Sequence, residues 1–400
     1  MIPKIFQTAS EVIDKLEENG HEAFFVGGSV RDFLLNKEVK DIDIATSASP
    51  TVVQTLFDKV IPVGIDHGTV IVRHKGVSYE VTTFRQDGTY SDQRHPDEVI
   101  FINTIEEDLK RRDFTINALA MNKQGNIIDL FEGQKDIQLK KIRSVGNARE
   151  RFLEDPLRII RALRFSSQLG FEIETETLHQ MKRLNKEIET VAVERLTNEF
   201  TKLFQGEFVQ TGIDYLMEIE GHLYIPILKN NDELMNKIPR SLTPFHSFAE
   251  VIAMFHYLDK QTSIVDWVKE WKCSNQIKLE ATNLVECLNY YKENGLDSWL
   301  VYQLNCDYFS SFLHLLHLLW NDSSLHVEKL NANKKTLPIQ NKNELDINGY
   351  DLLDLYPKAK RGPWMKKMIE KIEYNVVMNK LENRKQIIKE WIMCHPPEQN

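Results

Sequence analysis

The fold of this chain is decided by a stretch near its start, Ala23–Asp32 (AFFVGGSVRD), together with Asp41–Ile44 (DIDI). The four apolar residues predict a buried strand, and the two glycines after them predict a tight turn. A short helix from residue 30 to 35 is expected to follow, with Ser29 as its N-cap. Because alternate residues of a strand face the same side, Asp41 and Asp43 should present both carboxylates on one face.

The surrounding chain alternates strand and helix signals up to about residue 145. Two strands, 69–73 and 78–82, flank a turn at Lys75-Gly76, and a helix at 114–121 and a strand at 127–130 follow. Beyond this point helical periodicity dominates, in segments 156–169, 177–204, 249–257, 278–294 and 364–391, with breaks at 238–244 and 321–348. The predicted fold class is therefore α+β, a head with a small mixed β-sheet followed by an all-helical remainder.

Composition excludes several classes of protein. The 400 residues carry a net charge of −9, which disfavours a protein that coats nucleic acid without specificity. The four cysteines form no C-x-x-C pair, which argues against a zinc ribbon, a thioredoxin-type site and a disulfide scaffold. No stretch reaches the ~20 apolar residues of a membrane span, and residues 1–20 indicate an amphipathic helix rather than a signal peptide. We therefore expect a cytoplasmic protein.

The glycine turn and the paired aspartates together indicate nucleotide chemistry. Gly28 lets a phosphate approach the backbone, and Arg31 in the first turn can pair with a phosphate oxygen. Carboxylates on one face, here Asp41 and Asp43, suit Mg²⁺, and two such ions activate an attacking oxygen and stabilise a leaving one. Taken singly, each feature is more often an ordinary turn or a solvated strand face, and it is their order within 17 residues that is specific.

A second polar cluster occupies Arg111–Ala118 (RRDFTINA). Arg112 could contact phosphate and Asp113 could accept a hydrogen bond from a ribose hydroxyl. The alternative is that Asp113 merely caps a helix, which leaves the adjacent arginines unexplained.

A third cluster occupies Arg151–Phe165 (RFLEDPLRIIRALRF). Its polar residues recur every three positions and form a drifting stripe: Asp155, Arg158, Arg161 and Arg164. Glu154 stands four residues before Arg158, the favourable direction for an ion pair on a helix. Residues 140–164 hold eight basic and three acidic residues in an otherwise acidic chain. A solvated helix face is the simple alternative, but a carboxylate beside a braced arginine is typical of groups that read base edges.

Together these motifs resemble the signature set of the class II tRNA nucleotidyltransferases, the CCA-adding enzymes, which share a superfamily with bacterial poly(A) polymerase. The resemblance covers residues 23–171 and rests on four motifs in the family's order: Gly27-Gly28-x-x-Arg31-Asp32, Asp41-x-Asp43, Arg111-Arg112-Asp113-Phe114-Thr115-x-Asn117-Ala118 and Glu154-Asp155-x-x-Arg158. A looser similarity at 346–363 resembles the tail of short bacterial members. The family adds C, C and A to the 3′ end of tRNA from CTP and ATP without a nucleic acid template.

The resemblance implies roles for individual residues. Asp41 and Asp43 would be catalytic and bind Mg²⁺, with Glu80 as a candidate third carboxylate. The residues implied to contact the nucleotide near its triphosphate are Gly28, Arg31 and Arg112. Those implied to bind the ribose and base are Asp113 for the ribose, Asp155 and Arg158 for the base edge, and Arg161 and Arg164 as further lining, with Glu154 bracing Arg158.

It also implies an organisation into a catalytic head (1–145), a helical neck that recognises the base (146–205), a helical body (206–320) and a helical tail that binds tRNA (321–400). Residues 358–389 carry ten basic and three acidic residues, which suits a phosphate-backbone contact, although a solvated face is as good an explanation for each lysine. The partners are the tRNA 3′ acceptor end, CTP and ATP, with no membrane; a homodimer is left open.

The polar stretch at 85–96 resembles the loop that accompanies the family's switch from C to A addition. Its presence favours full CCA addition, while Gln93, where the family has glycine, departs from the pattern. A poly(A) polymerase, a CC-only or A-only enzyme, and a non-catalytic RNA-binding protein on the same fold stay as alternatives. His314 and His317 share a helix face, and an apolar core position is the favoured interpretation over a metal site.

Overall fold

The computed structural model describes residues 4–87 and 99–396, which form two compact units, Met1–Asn236 and Lys237–Asn400. The strands are β1 (Ala23–Val26), β2 (Asp43–Thr46), β3 (Val60–Gly64), β4 (Thr69–His74), β5 (Val77–Thr83), β6 (Arg85–Asp87), β7 (Val99–Phe101), β8 (Leu119–Met121), β9 (Ile127–Asp129), β10 (Lys141–Ile142) and β11 (Glu172–Ile173).

The helices of the first unit are α1 (Lys4–Glu18), α2 (Gly28–Leu34), α3 (Pro50–Leu56), α4 (Ile105–Lys110), α5 (Gly133–Gln138), α6 (Ala148–Glu154), α7 (Leu157–Leu169), α8 (Thr175–Arg183), α9 (Val193–Phe204), α10 (Val209–Glu218) and α11 (Asp232–Lys237), the last ending at the unit boundary. Those of the second unit are α12 (Phe248–Leu258), α13 (Ile264–Glu270), α14 (Asn275–Asn294), α15 (Ser298–Gln303), α16 (Phe309–Trp320), α17 (Val327–Lys335), α18 (Gly349–Leu355), α19 (Pro363–Val377) and α20 (Lys385–Cys394).

The head is built on a seven-stranded mixed sheet in the order β3-β4-β5-β2-β1-β8-β9. The neighbours are antiparallel except for β2 and β5, which run parallel and place Asp43 beside Glu80. Two shorter sheets pair β10 with β11 and β6 with β7. The expected α+β head with a mixed sheet and a helical remainder is confirmed, and the β2–β5 pairing is what positions the carboxylates.

The hairpin β4–β5 forms as the sequence predicts. Lys75 and Gly76 both have positive φ, 49° and 81°, the left-handed conformation that a two-residue hairpin turn requires and that glycine adopts without steric cost. Thr69 of β4 lies opposite Thr82 of β5, and their hydroxyls are 3.1 Å apart.

Apolar residues of β1 face both sides of the sheet, as expected for a central strand. Phe25 packs edge-on against Phe6 of α1, with ring centroids 4.9 Å apart. On the other face Phe24 and Val26 join a buried cluster that includes Phe84 and Leu109. Burial on both faces fixes the register of β1, and with it the position of the glycine turn at its end.

Several expected elements are wrong in detail. Ser29 does not cap α2: its hydroxyl donates to the Val26 carbonyl oxygen, and the helix begins at Gly28 with Gly27 at the N-cap position. Residues 114–121 form a 3₁₀ turn followed by strand β8 rather than a helix, since Leu119–Met121 pairs with both β1 and β9.

The long helical segments are also interrupted. Residues 177–204 divide into α8, a 3₁₀ segment and α9, since α8 ends at Arg183 and the backbone turns extended at Val191 before α9 begins. Residues 364–391 divide into α19 and α20 beyond Asn379, whose φ of 55° is the left-handed conformation that ends helices. The polar stretch at 321–348 is not a plain break, since it contains α17. The described residues contain no helix long and apolar enough to cross a membrane.

Helices α7, α9 and α10 pack tightly behind the head. A Cβ on Gly206 would lie 2.0 Å from the Ser167 hydroxyl oxygen, and one on Gly212 would lie 3.1 Å from the Leu163 carbonyl oxygen. Only glycine permits this approach, so α7 is held firmly where its polar face meets the sheet. The division of the chain at residues 145, 205 and 320 stays a prediction.

Candidate active site

A glycine turn at the end of β1 opens the site. Gly27 has φ +68°, and a Cβ there would lie 3.0 Å from Arg112 Nη1 and 3.9 Å from Asp43 Oδ2. The turn is buried at Gly27 and brings the chain backbone close to a guanidinium and a carboxylate, where no side chain intervenes. A side chain at Gly27 would be strained in its backbone and would also fill that space.

Three carboxylates meet beside this turn. Asp43 begins β2 and pairs in register with Glu80 of β5, while Asp41 precedes the strand and is exposed. Burial, and then the charge of Glu80, raise the pKa of Asp43 to about 6. Asp41 adds to that rise, whereas Arg112 and Arg31 oppose it. Such mutual repulsion favours a bound cation, and carboxylate oxygens are the ligands that Mg²⁺ prefers.

Two arginines beside the turn are held in fixed orientations. The Arg31 guanidinium donates to Asp32 at 2.9 Å and to Asn117 Oδ1 at 2.6 Å. Arg112 donates to Asp108, a carboxylate with only 1% of its side chain exposed, at 3.0 Å. Their donors are therefore organised before any ligand arrives, which saves the entropy of ordering them later.

Asp113 is buried beside the arginine stripe of α7. Burial alone would raise its pKa, but Arg161, 2.5 Å away, and hydrogen bonds from Asn117 and the Phe114 amide hold the pKa far below its usual value. Asp113 is thus ionised and fully engaged. The alternative, that Asp113 merely caps an α-helix, is wrong, since a 3₁₀ turn follows it.

The start of α7 presents a carboxylate and an arginine, each braced by a partner. Arg195 of α9 forms two hydrogen bonds to Asp155, at 3.2 and 2.8 Å. Arg158 donates to Glu154 at 2.8 Å and to the Arg111 carbonyl oxygen at 3.0 Å. The predicted Glu154–Arg158 pair is confirmed as a contact.

Farther along α7, Phe165 is surrounded by guanidinium groups. Arg164 lies 4.0 Å from its ring centroid, Arg31 5.2 Å and Arg161 5.4 Å. Glu199 of α9 pairs with Arg164 at 2.9 Å. Burial, and then the neighbouring Arg161, lower the pKa of Arg164 to about 10, which leaves it charged at neutral pH. The cation–π contacts with the Phe165 ring and the ion pair with Glu199 offset the repulsion among these guanidinium groups.

These groups line one cavity of about 510 Å³ in the first unit. That volume is in the range of small-molecule sites. Its charged lining consists of seven arginines and four carboxylates: Arg31, Arg85, Arg111, Arg112, Arg158, Arg161, Arg164, Asp43, Glu80, Asp113 and Asp155. Every predicted site residue, including Gly28, belongs to the lining of this cavity except Asp41. The excess of guanidinium groups suits a polyanionic ligand.

Three residues that hold the site were missed from the sequence, Asp108, Arg195 and Glu199, and Asn117 was part of a quoted motif but was given no role. Asp108 stands three and four residues before Arg111 and Arg112, a local signal that was available. Arg195 lies 40 positions beyond Asp155, and its spacing of four from Glu199 only becomes informative once α9 is known to pack on α7. Of the loop at 85–96 that is expected to accompany the C-to-A switch, residues 88–96 lie outside the described residues.

Three family models match consecutive parts of the chain. "Poly A polymerase head domain" matches residues 23–143, "Probable RNA and SrmB- binding site of polymerase A" matches 170–232, and tRNA nucleotidyltransferase domain 2 matches 243–392. The first contains the glycine turn, Asp41, Asp43 and Glu80, whereas the α7 part of the site lies between the first and second matched ranges.

Relatives that match the whole chain point to the same family as these models. The CCA-adding enzyme of Oceanobacillus iheyensis is 48% identical, with 100% of both chains covered. That of Anoxybacillus flavithermus is 42% identical over 99% of this chain and 98% of its own. The crystal structure of the Bacillus stearothermophilus CCA-adding enzyme in complex with CTP is 34% identical, covers 98% of both chains and superposes with a TM-score of 0.87. The chain thus belongs to the bacterial class II CCA-adding enzymes.

Proposed function

We propose that this chain adds C, C and A in turn to the 3′ end of tRNA, taking CTP and ATP into the cavity of the first unit and releasing pyrophosphate. The observation that carries the proposal is the meeting, in one cavity, of the Asp43–Glu80 carboxylates, the arginine cluster and the Asp155–Arg158 pair. Such a cavity supplies a metal site, a triphosphate site and a base-reading edge in one place. The chemistry is in-line attack of the tRNA 3′-hydroxyl on the α-phosphate, in which positioning and charge stabilisation dominate.

Mg²⁺ is the metal proposed for the carboxylates. Asp41 and Asp43 would hold it, with Glu80 next to them; burial first and the charge of Glu80 second raise the pKa of Asp43, and a bound cation would offset both effects. When bound there, Mg²⁺ supplies charge stabilisation to the attacking and leaving oxygens. An all-oxygen site suits Mg²⁺ better than a metal that prefers imidazole or thiolate.

The triphosphate is assigned to the glycine turn and its two arginines. Gly27 and Gly28 line the cavity without a side chain, and the guanidinium groups of Arg31 and Arg112 are held in place by Asn117 and Asp108. Arginine forks pair with phosphate oxygens in two parallel hydrogen bonds. These residues therefore hold the α-phosphate in place for attack.

The base is assigned to Asp155 and Arg158. Cytosine and adenine share one pattern on their pairing edge, an amino donor next to a ring-nitrogen acceptor, whereas uracil and guanine present a carbonyl next to an N–H. A carboxylate that accepts and a guanidinium that donates match the first pattern only. Arg195 and Glu154 keep the two groups from rotating to match the second.

Binding of the tRNA body is assigned to the basic residues of 358–389. Lys366 is 78% exposed and its nearest acid, Glu370, is 3.7 Å away, so its charge is available to a phosphate. The substrate places the enzyme in the cytoplasm, where tRNA is found. A homodimer stays a prediction.

A poly(A) polymerase is the second candidate, because the model that matches residues 23–143 describes the head domain of that enzyme. The chemistry is the same and the products differ. A poly(A) polymerase extends with many A residues, and a CCA-adding enzyme stops after one.

The test compares Asp43→Asn with Asp58→Asn, an exposed aspartate of the same unit that lies outside the cavity lining. Extension of a tRNA lacking its CCA end is measured with CTP, ATP and varied Mg²⁺. Asp43→Asn should lose roughly 1,000-fold or more of the rate, in line with removal of a main source of transition-state stabilisation, while Asp58→Asn stays within twofold. Activity within tenfold in Asp43→Asn would refute the assignment.

A further inference from the structure

The second unit contains its own cluster of imidazole and carboxylate groups. His246 lies just before α12, Glu250 lies in the first turn of α12, and His314 lies in α16. One ligand atom from each of the three lies within 4.8 Å of the other two. Neither the nucleotide site nor the basic segment uses these residues.

The spacing of the three groups is close to that of a metal site. His246 Nδ1 lies 3.2 Å from Glu250 Oε2, and His314 Nδ1 contacts Glu250 Oε1. Around a tetrahedral zinc ion with bonds of about 2.0–2.1 Å, ligand atoms lie roughly 3.4 Å apart. The His246–Glu250 spacing is already close to this value, whereas the His314–Glu250 contact would have to lengthen for an ion to enter. The His246 side chain is 51% exposed, so water can reach an ion on that side.

The His314 ring is held in place from its far side. Its Nε2 lies 2.6 Å from the Thr243 hydroxyl, and the Phe245 ring packs edge-on against it at 5.0 Å. When Nε2 carries the proton and donates to Thr243, Nδ1 presents its lone pair on the side of the Glu250 carboxylate, the side on which an ion would bind. A hydrogen bond from the outer ring nitrogen is the usual support of a metal-binding histidine.

The charge balance around Glu250 also favours a cation. The Glu250 side chain is completely buried, and hydrogen bonds from His246 and His314 act on its carboxylate. Half-buried Glu280, which accepts a hydrogen bond from Ser247 at the N-cap of α12, is close enough for Glu250 to raise its pKa. A buried carboxylate without a stable cation is costly, and a bound metal ion would supply one.

We propose that His246, Glu250 and His314 bind one zinc ion, with water as the fourth ligand on the exposed side of His246. Two imidazoles and one carboxylate are a set that zinc prefers and that Mg²⁺ does not. The ion would tie the segment before α12 to α16 and so stabilise the second unit. This site is independent of the proposed nucleotidyl transfer.

The test uses the full chain, freed of metal with a chelator and then dialysed against Zn²⁺ in excess Mg²⁺, which occupies the carboxylates of the first unit. His246→Gln removes a ligand that is half exposed, so the fold tolerates it. His317→Gln is the matched control, an exposed histidine of α16 that bonds Ser323 instead. Bound zinc per chain is measured by elemental analysis, and Co²⁺ in place of Zn²⁺ reports the coordination geometry through its visible absorption.

We expect one Zn²⁺ per chain in the wild type and in His317→Gln, with tetrahedral Co²⁺ absorption and a zinc-dependent rise in the thermal midpoint. His246→Gln should bind Zn²⁺ at least tenfold more weakly and lose both signals. Zinc affinity that is equal in His246→Gln and the wild type, or a wild type that binds no zinc, would overturn the proposal. In the latter case the three groups are a hydrogen-bonded ion pair that shares a proton.

Discussion

Replacement of Arg195 by methionine should weaken base selection without changing the carboxylates that are proposed to bind the metal. Arg195 lies on α9 and contacts the site at Asp155, to which it makes hydrogen bonds of 3.2 and 2.8 Å. Methionine keeps most of the volume and removes the charge. Without this pair, the Asp155 carboxylate retains the hydrogen bond from the Leu157 amide but loses the two that fix both of its oxygens.

The magnitude follows from the geometry of the pair. A hydrogen bond to a charged group is worth about 1.5–3 kcal/mol. The Arg195 and Asp155 side chains are 25% and 15% exposed, so water screens part of that energy and the lower end applies. A loss of about 1.5 kcal/mol is roughly a tenfold fall in kcat/KM for CTP. Discrimination against UTP should fall as well, because a carboxylate that is no longer held in one direction rejects the carbonyl group of uracil less well.

The assay is single addition of C to a tRNA that lacks CCA, with CTP and UTP in separate and in competing reactions. Lys202→Met, an exposed lysine of the same helix, is the matched control and should match the wild type. Arg195→Met with kcat/KM for CTP and discrimination against UTP both within twofold of the wild type would refute the reasoning. A rise in kcat/KM would mean that Arg195 withholds Asp155 from the base.

Three further predictions follow from single features. Gly27→Ala should raise KM for CTP and ATP at least tenfold in steady-state assays, because the new Cβ meets Arg112 Nη1 at 3.0 Å from a strained backbone; an unchanged KM would contradict the assigned triphosphate site. Asp108→Asn should lower the free energy of unfolding by about 3 kcal/mol at pH 7 in urea titrations, since it leaves two arginines without their buried partner. Burial would raise the pKa of Asp108, but those arginines hold it below its usual value. The ionised carboxylate therefore stabilises the folded protein above pH ~4, and this stabilisation is lost as the pH falls further. The variant should therefore lose less stability than the wild type on acidification below pH ~4, and parallel curves would contradict this. Lys366→Glu with Lys367→Glu should raise KM for tRNA and leave nucleotide selection unchanged, with an unchanged tRNA KM as the contrary result.

Local patterns predict much of the site. The strand before the glycine turn, the hairpin at Lys75-Gly76 and the Glu154–Arg158 pair all depend on residues a few positions apart, where spacing fixes geometry. The position of Glu80 beside Asp43 needed the parallel pairing of β2 and β5, which spacing alone does not give. The sequence nevertheless suggested Glu80, because an acid on a neighbouring strand can reach the same face.

Long-range partners could not be predicted in the same way. The Arg195–Asp155 contact spans 40 positions, and it exists only because α9 packs along α7. The partner of His314 could not be predicted from local spacing either. An apolar core position was the favoured interpretation and is wrong, since His314 lies on the buried carboxylate of Glu250, 64 positions earlier, and His317 is exposed. Nothing in the spacing of these residues indicates that α12 and α16 meet.

The most direct test of the central claim is the length and sequence of the product. A tRNA transcript lacking its CCA end is incubated with the enzyme, Mg²⁺ and CTP, ATP or both, and the products are resolved on a sequencing gel. We expect the addition of two C residues with CTP alone, and of C, C and one A with both nucleotides, after which extension stops. A long ladder of A residues, or arrest after two C residues with ATP present, would contradict it.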